Sequence, residues 1–451
     1  MKCRIINSQE VLLSKRFDGS YHNAEVNIYS SVIDKHSSYK LKDYCTEIFT
    51  SGRNKRVYTT KEYGYPFLSN SDVVAAEPLS SCKYSSKKYG YDEKAVLRKG
   101  MILTGRVGAI GQTAFVPGFL EAKRAMGSDN IIRICVKPEK HNGFIYAYLA
   151  SRIGNLSFWK HATGGVQPFI TDAMVGELAI PDFPESFQKE VDDLIQESAR
   201  LREEATDALD QAISYFNDKY IIKEDTQKTF TLSLKELKLG FAAYNNNLEV
   251  DQFIDEYKSD SYELSEKTKL IFAPPLFKHI YLNKDNGYPF MTGSELTQFN
   301  LRYYRWLSPK GIKDINDYIV KKGTLLLYKS GTTDGGILGN VFIADNKLNG
   351  CCLSDHVIRI VFNDVKEAYW AFAFLRSKGA TRMLKRLATG TMIPFITPER
   401  ISRLRIPNPD DNFDAIVSLV EKYINLNSTS KENETKAIIM VEQEIEKWNK
   451  N

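Results

Sequence analysis

Between Pro184 and Ile222, Phe187, Val191, Leu194, Ser198, Leu201, Ala205, Ala208, Ala212 and Tyr215 recur in steps of three and four. This spacing predicts a helix with a coiled-coil seam. Ile195, Leu209, Ile213 and Phe216 widen the seam, which predicts packing on more than one neighbour. At 1.5 Å per residue such a segment would be roughly 55 Å long, against about 34 to 36 Å for one turn of B-DNA. The helical period returns near the C-terminus through Phe413, Ile416, Val420 and Tyr423, and again through Ile438, Val441, Ile445 and Trp448. Between them lies NLNSTSKENET. Its Asn, Ser and Thr residues predict a kink, a break or an exposed stretch.

Outside these segments the patterns favour strands and turns. KGMILTGRVGAIGQTAFV predicts a hairpin, two apolar runs around a glycine-containing turn. IIRICV (131–136) and VIRIVF (357–362) predict buried strands, each followed by an aromatic-rich helical stretch, GFIYAYLASRI and EAYWAFAFLRS. ELAIPDFP (177–184) and RLRIPNPD (403–410) each predict a short strand ending in proline ahead of a helix. The expected class is α+β.

The chain repeats itself. Tyr21 aligns with Tyr244, GYPFLSNSDV (64–73) with GYPFMTGSEL (287–296), and LRKGMIL (97–103) with VKKGTLL (320–326), all at an offset of 223 residues. SDNIIRI (128–134) matches SDHVIRI (354–360) and HATGGVQPFIT (161–171) matches LATGTMIPFIT (387–397) at an offset of 226. The change places a three-residue insertion in the loop after the Lys-Gly turn. The unit of lobe, strand and helix, repeated once, is far too long for a solenoid repeat. The expected division is a lobe over 1–183, a spacer helix over 184–222, a second lobe over 223–408 and a terminal helix over 409–451.

Charge follows the same division. Residues 1–183 carry 25 Lys+Arg and 17 Asp+Glu, and residues 223–408 carry 27 and 20; residues 184–222 carry 4 and 10, and residues 409–451 carry 5 and 9. Basic lobes beside acidic helices suit globular parts that approach a polyanion. The same contrast disfavours reading the spacer as a core helix of one larger domain. No run of about 18 apolar residues predicts a membrane span, and the N-terminal apolar stretch is too short for a signal peptide. The expected compartment is the cytoplasm. The six cysteines are scattered apart from the vicinal Cys351 and Cys352, which predicts free thiols and no zinc spacing.

Catalytic motifs are missing. GTTDGG (331–336) has Lys329 and Ser330 on the wrong side for a phosphate-cradling loop, and GRVGAIG (105–111) sits in a hairpin, without a dinucleotide-binding context. Pro181-Asp182 with Glu185 and Lys189 only loosely resembles a metal-nuclease pattern, and Ala273-Pro274-Pro275-Leu276 lacks the polar and aromatic residues of an amino-methylase loop. A non-catalytic chain is expected.

Basic residues interleave with tyrosine and glycine in SGRNKRVY (51–58), SCKYSSKKYGY (81–91), RYYR (302–305) and RSKGATRMLKR (376–386). Lys and Arg neutralise phosphates, while Arg, Asn and Gln also read base edges. The candidate DNA contacts are Arg53, Asn54, Lys55, Arg56, Lys83, Lys87, Lys88, Arg106, Lys160, Thr163, Gln167, Arg302, Tyr303, Arg305, Lys329, Thr332, Arg382, Lys385, Arg386 and Thr389. Each basic cluster can equally be a solvated face; their recurrence in both lobes favours DNA.

RFDGSYHN near the start, GMILTGRVGAIG and GGVQPFITDAMVGELAIPDFP, with the duplicated lobe-strand-helix unit, are similar to the specificity subunit of type I restriction-modification systems over essentially the whole chain. The second copy departs from this pattern: Gly240-Phe241-Ala242 stand for Arg16-Phe17-Asp18, and Met392 stands where Gly165 to Gln167 would supply polar atoms. The resemblance implies two mixed α/β target-recognition domains separated by long helices packed as an antiparallel coiled coil, with pseudo-twofold symmetry. Each domain would read one half of an asymmetric, bipartite double-stranded DNA site. Modification (methyltransferase) subunits would dock on the helices, and restriction (translocase/endonuclease) subunits would complete the complex. S-adenosylmethionine, Mg and ATP are expected only on those partners, and no cofactor or metal in this chain. The alternatives are a stand-alone DNA-binding adaptor, the recognition subunit of a related phage-defence methylation system, or a cryptic nuclease using Asp182 or Glu185. The divergent segments 24–60, 74–96, 247–282 and 297–318 are the expected base readers.

Overall fold

The computed structural model describes residues 5–449 apart from 20, 54, 224–228, 230, 236, 238, 239, 301–304, 311, 332–335 and 391. Asn54, Arg302, Tyr303 and Thr332 therefore lie outside the described residues. Two compact units are present, one of residues 1–203 and 429–451, the other of residues 204–428. The dividing points fall inside the two long helices, Glu185–Lys219 and Phe413–Trp448.

In the first unit, the strands Cys45–Thr50, Ile131–Val136, Ile102–Gly105 and Thr113–Phe115 form an antiparallel sheet in that spatial order. Ile102–Gly105 and Thr113–Phe115 are the expected hairpin. A second sheet runs Tyr58–Thr59, Lys83–Ser86, Gly64–Leu68, Met126–Gly127, the last pair parallel. Tyr39–Lys40 pairs with Ala179–Ile180, the expected strand ahead of the proline. Ile132 and Ile134 are fully buried because this strand is central and its one face is covered by the helix Asn142–Ala150, while Ile131 is buried with Leu68, Leu97 and Leu103. The core also takes in Val191, Ile195 and Ala199 from one long helix and Ala437, Ile438, Val441 and Ile445 from the other. The widened apolar stripe therefore meets both the lobe and the second helix, as its width predicts.

The second unit repeats this order strand for strand: Thr268–Phe272, Val357–Phe362, Leu325–Tyr328, Val341–Ile343, and Tyr281–Leu282, Trp306–Leu307, Tyr288–Met291, Cys352–Leu353. Even the local irregularity recurs, between Cys45 and Glu47 in one unit and between Thr268 and Leu270 in the other. Its core is aromatic, with Trp370, Phe372 and Phe374 fully buried and Trp370 Nε1 donating to Pro407 O at 2.9 Å. Ala205, Ala208, Ala212, Phe216, Ile416, Val420 and Ile424 join it from the long helices.

The stretch NLNSTSKENET corrects the expectation made for it. It is helical throughout, within Phe413–Trp448, and Asn427, Ser428, Ser430, Lys431 and Glu434 are buried. In the first unit, Ser198 Oγ donates to Ser430 O at 2.7 Å and Ser430 Oγ donates to Ser198 O at 2.6 Å. Small hydroxyls let two helices approach closely and satisfy one another, which outweighs the weak intrinsic preference of serine for helix. Tyr146 Oη donates to Glu434 at 2.9 Å, and so binds the lobe to the same helix.

Among the described residues no two cysteines are joined, and burial pushes the Cys45 and Cys352 thiols up to about 12. No described helix is long and apolar enough to cross a membrane.

Candidate nucleic-acid interface

Two buried arginines hold the smaller sheet of each unit. The Arg133 guanidinium donates to Ile131 O (2.9 Å), Ala95 O (3.1 Å) and Gly127 O (2.6 Å). Arg359, 226 residues on, donates to Val357 O (2.5 Å), Ser354 O (3.0 Å) and Leu353 O (2.7 Å). Burial lowers both guanidinium groups to about 10, so both stay charged at neutral pH. Within IIRICV and VIRIVF the surrounding apolar pattern gives no sign of this role.

The sheet so anchored presents cations over aromatic rings. Lys83 Nζ lies 4.8 Å from the Tyr58 ring and Lys87 Nζ 5.5 Å from the Tyr65 ring, with Lys87 also donating to Glu62 O at 2.9 Å. Lys88 lies 5.1 Å from the Tyr89 ring. Arg124, with a left-handed φ of 51°, covers Tyr65 and Tyr91 at 5.2 and 4.8 Å. Arg56 Nη2 donates to Asp129 at 2.6 Å and its guanidinium covers Phe67 at 5.7 Å. Arg53 reaches Asp129 at 3.5 Å with 90% of its side chain exposed. Lys55 is exposed and, with Arg56 and Asp129, lines a recess beside Ser51, Phe67 and Ser85. In the second unit Arg305 covers Tyr281 and Phe290 at 5.7 and 5.5 Å and forms an ion pair with Glu295. Stacked or paired cations are ordered before any ligand arrives, and rings beside cations also offer stacking surface.

A second feature joins the hairpin turn to the loop ahead of the proline strand. Arg106 N donates to Asn130 O at 2.8 Å and Ile170 N to Arg106 O at 3.0 Å; Lys329 N donates to His356 O at 3.0 Å and Ile396 N to Lys329 O at 2.6 Å. Thr163 and Phe169 exchange backbone hydrogen bonds of 2.9 and 2.7 Å, and Thr389 and Phe395 do so at 2.8 and 2.7 Å. Gly164 and Gly390, at φ of 99° and 97°, turn the chain at the same point of each loop, in a region that favours glycine. Gln167 is exposed at the first loop's tip. Val166 and Met392 are exposed beside the turns.

Several expected contacts sit elsewhere. Arg386 is 8% exposed and donates to Asp251 at 2.7 Å, and Arg382 pairs with Glu249. Together with Lys385 they lie on the helix Lys378–Arg386, which packs on Leu248–Asp255. The basic run 376–386 thus contributes to an internal helix pair. Lys160 likewise lies 3.8 Å from Asp34. Glu185 is 2.6 Å from His141 Nε2, and Asp182 accepts from Ser38 Oγ at 3.0 Å. Sequence reading missed Asp129, Arg124, Tyr65, Phe67, His279 and Phe290. The constant offset could have paired Phe67 with Phe290, whereas the cations around them come from separate segments.

No curated protein matches the chain. Among solved structures it is similar to the S subunit of a type I restriction-modification system from M. genitalium, at 12% identity over 91% of this chain and 94% of that one, with a TM-score of 0.31. It is also similar to the HsdS subunit from Thermoanaerobacter tengcongensis, at 14% identity over 91% and 95%, with a TM-score of 0.29. Residues 264–439 match the family described as Type I restriction modification DNA specificity domain. The match falls in the second half of the chain.

Proposed function

We propose that this chain is the sequence-recognition subunit of a type I restriction-modification complex, each unit reading one half of a bipartite, asymmetric double-stranded DNA site. The supporting observation is the repetition, in residues 1–203, of the strand order found within the matched domain. Two readers with one fold and different surface residues suit an asymmetric site; identical readers would suit a palindrome. In this reading the target-recognition domains are residues 1–183 and 223–408. The helical segments 184–222 and 409–451 pair as an antiparallel coiled coil that sets the spacing. A helix of 35 residues is about 52 Å long, enough to span more than one turn of B-DNA, about 34 to 36 Å.

The chain itself performs no chemistry in this proposal. Adenine methyltransferase subunits dock on the helices and carry S-adenosylmethionine; restriction subunits carry Mg and ATP. The expected compartment is the cytoplasm. Sequencing of methylated adenines in cells with this chain and its partners, with and without two turns deleted from the spacer helix, tests the proposal. The expected result is one gapped motif whose gap changes while its half-sites do not. Methyl transfer or cleavage by the purified chain alone would overturn it.

A further inference from the structure

At one position the two units share a backbone and differ in chemistry. Phe67 and Phe290 are counterparts in the repeat; Arg56 lies over the first at 5.7 Å, and His279, the counterpart of Arg56, lies 4.9 Å from the second. Arg53 corresponds to Leu276, which is 86% exposed. Asp129 corresponds to Asp355, which faces Lys329 Nζ at 3.9 Å.

Asp129 stands in the turn ahead of Ile131–Val136, where Ser128 N donates to Leu68 O at 2.9 Å and Ile131 N donates to Ser128 O at 3.2 Å. With 13% of its side chain exposed, it accepts from Arg56 at 2.6 Å and lies 3.5 Å from Arg53 Nε. The Arg56 side chain is half exposed at 49%. A guanidinium held by a carboxylate and a ring has lost its rotamer freedom before binding, which removes part of the ordering cost. Its remaining donors fit the paired O6 and N7 acceptors of guanine in the major groove. The carboxylate repels a phosphate oxygen brought close to it, so the pair favours a base edge over the DNA backbone.

We propose that Asp129 is a specificity-determining residue of the first unit, holding Arg56, with Arg53 beside it, to read a guanine, and that the second unit, with His279 and Leu276, does not share this preference. The inference rests on the DNA-reading function proposed above. It is tested by selecting the full chain on a random duplex library as wild type, R56K and D129N, with a thermal melt of each. R56K keeps the charge and loses the planar fork, and it remains informative should D129N fail to fold. The expected result is a guanine at one fixed position of one half-site, with discrimination there falling about tenfold to a hundredfold in the variants and the other half-site unchanged. Uniform weakening without a changed base would mark a phosphate contact and overturn the inference, as would unchanged selection. A wild-type chain that selects no sequence would instead overturn the DNA-reading proposal itself.

Discussion

The two units solve the same structural problem with different side chains. In the first, Arg16 Nη2 reaches across the fold to Ala162 O at 2.6 Å. In the second, where glycine stands for Arg16, Asn245 donates to the corresponding carbonyl of Ala388 at 2.8 Å and to Arg386 O at 2.6 Å. The departure in sequence at Gly240-Phe241-Ala242 is thus compensated five residues later. Backbone carbonyls that need a donor accept it from any residue that can reach. The cation-bearing faces also keep a position and change the residue: Lys83 covers Tyr58 and Arg305 covers Tyr281, and Lys83 stands opposite Phe67 in its ladder as Arg305, whose carbonyl accepts from Phe290 N, stands opposite Phe290. In both cases the contact is preserved in kind, while the residue that makes it is free to change.

The largest expected effect comes from removing the buried arginines. R133M leaves three carbonyls without their shared donor, and the expected loss is about 3 kcal/mol or more. Hydrogen exchange should accelerate in Gly64–Leu68 and Met126–Gly127, with R359M acting instead on Tyr288–Met291 and Cys352–Leu353. Equal acceleration in both units after one substitution would break the division into two.

The compensating ties should differ in weight. N245A removes two hydrogen bonds from a residue that is 4% exposed, and denaturant unfolding should show a loss of about 2 kcal/mol. R16A acts at a half-buried site, with an expected loss of about 1 kcal/mol. The reverse order would show that the two ties are not equivalent.

A smaller effect separates surface cations from internal ones. K55A, at an exposed lysine, should lower the slope of log affinity for DNA against log salt by roughly 1. R382A, whose partner is Glu249, should leave that slope unchanged.

The smallest effect is expected from pH. Burial lowers the His161 imidazole below 6.5, opposed by its hydrogen bond to Ser157 O. The unfolded chain therefore takes up the proton first, and stability contributed at this site is present above pH about 6.5 and falls as pH drops through it. Denaturation of wild type and H161Q at pH 7.5 and 5.5 should show a smaller pH dependence in the variant.

Much of this architecture is legible in the sequence because a repeat constrains it twice. A hairpin at GMILTGRVGAIG, a central strand at IIRICV and a strand ending in proline at ELAIP each gain support from a second copy. The candidate contacts are less legible. Arg382 and Arg386 look like surface cations in RSKGATRMLKR, since nothing local shows that Glu249 and Asp251 stand opposite. Ser430 looks like a helix breaker until Ser198 is brought beside it.

The sequence by itself determined the period of the helices, the duplication and the segregation of charge, because these depend on residues near in the chain or repeated at a fixed offset. Only the tertiary structure decided which cations are turned inward and which lie on aromatic rings. Those partners come from segments tens to more than a hundred residues apart, as with Arg56 and Asp129 or Arg382 and Glu249. Charge is a property of a residue, whereas the availability of that charge depends on what the fold sets opposite it.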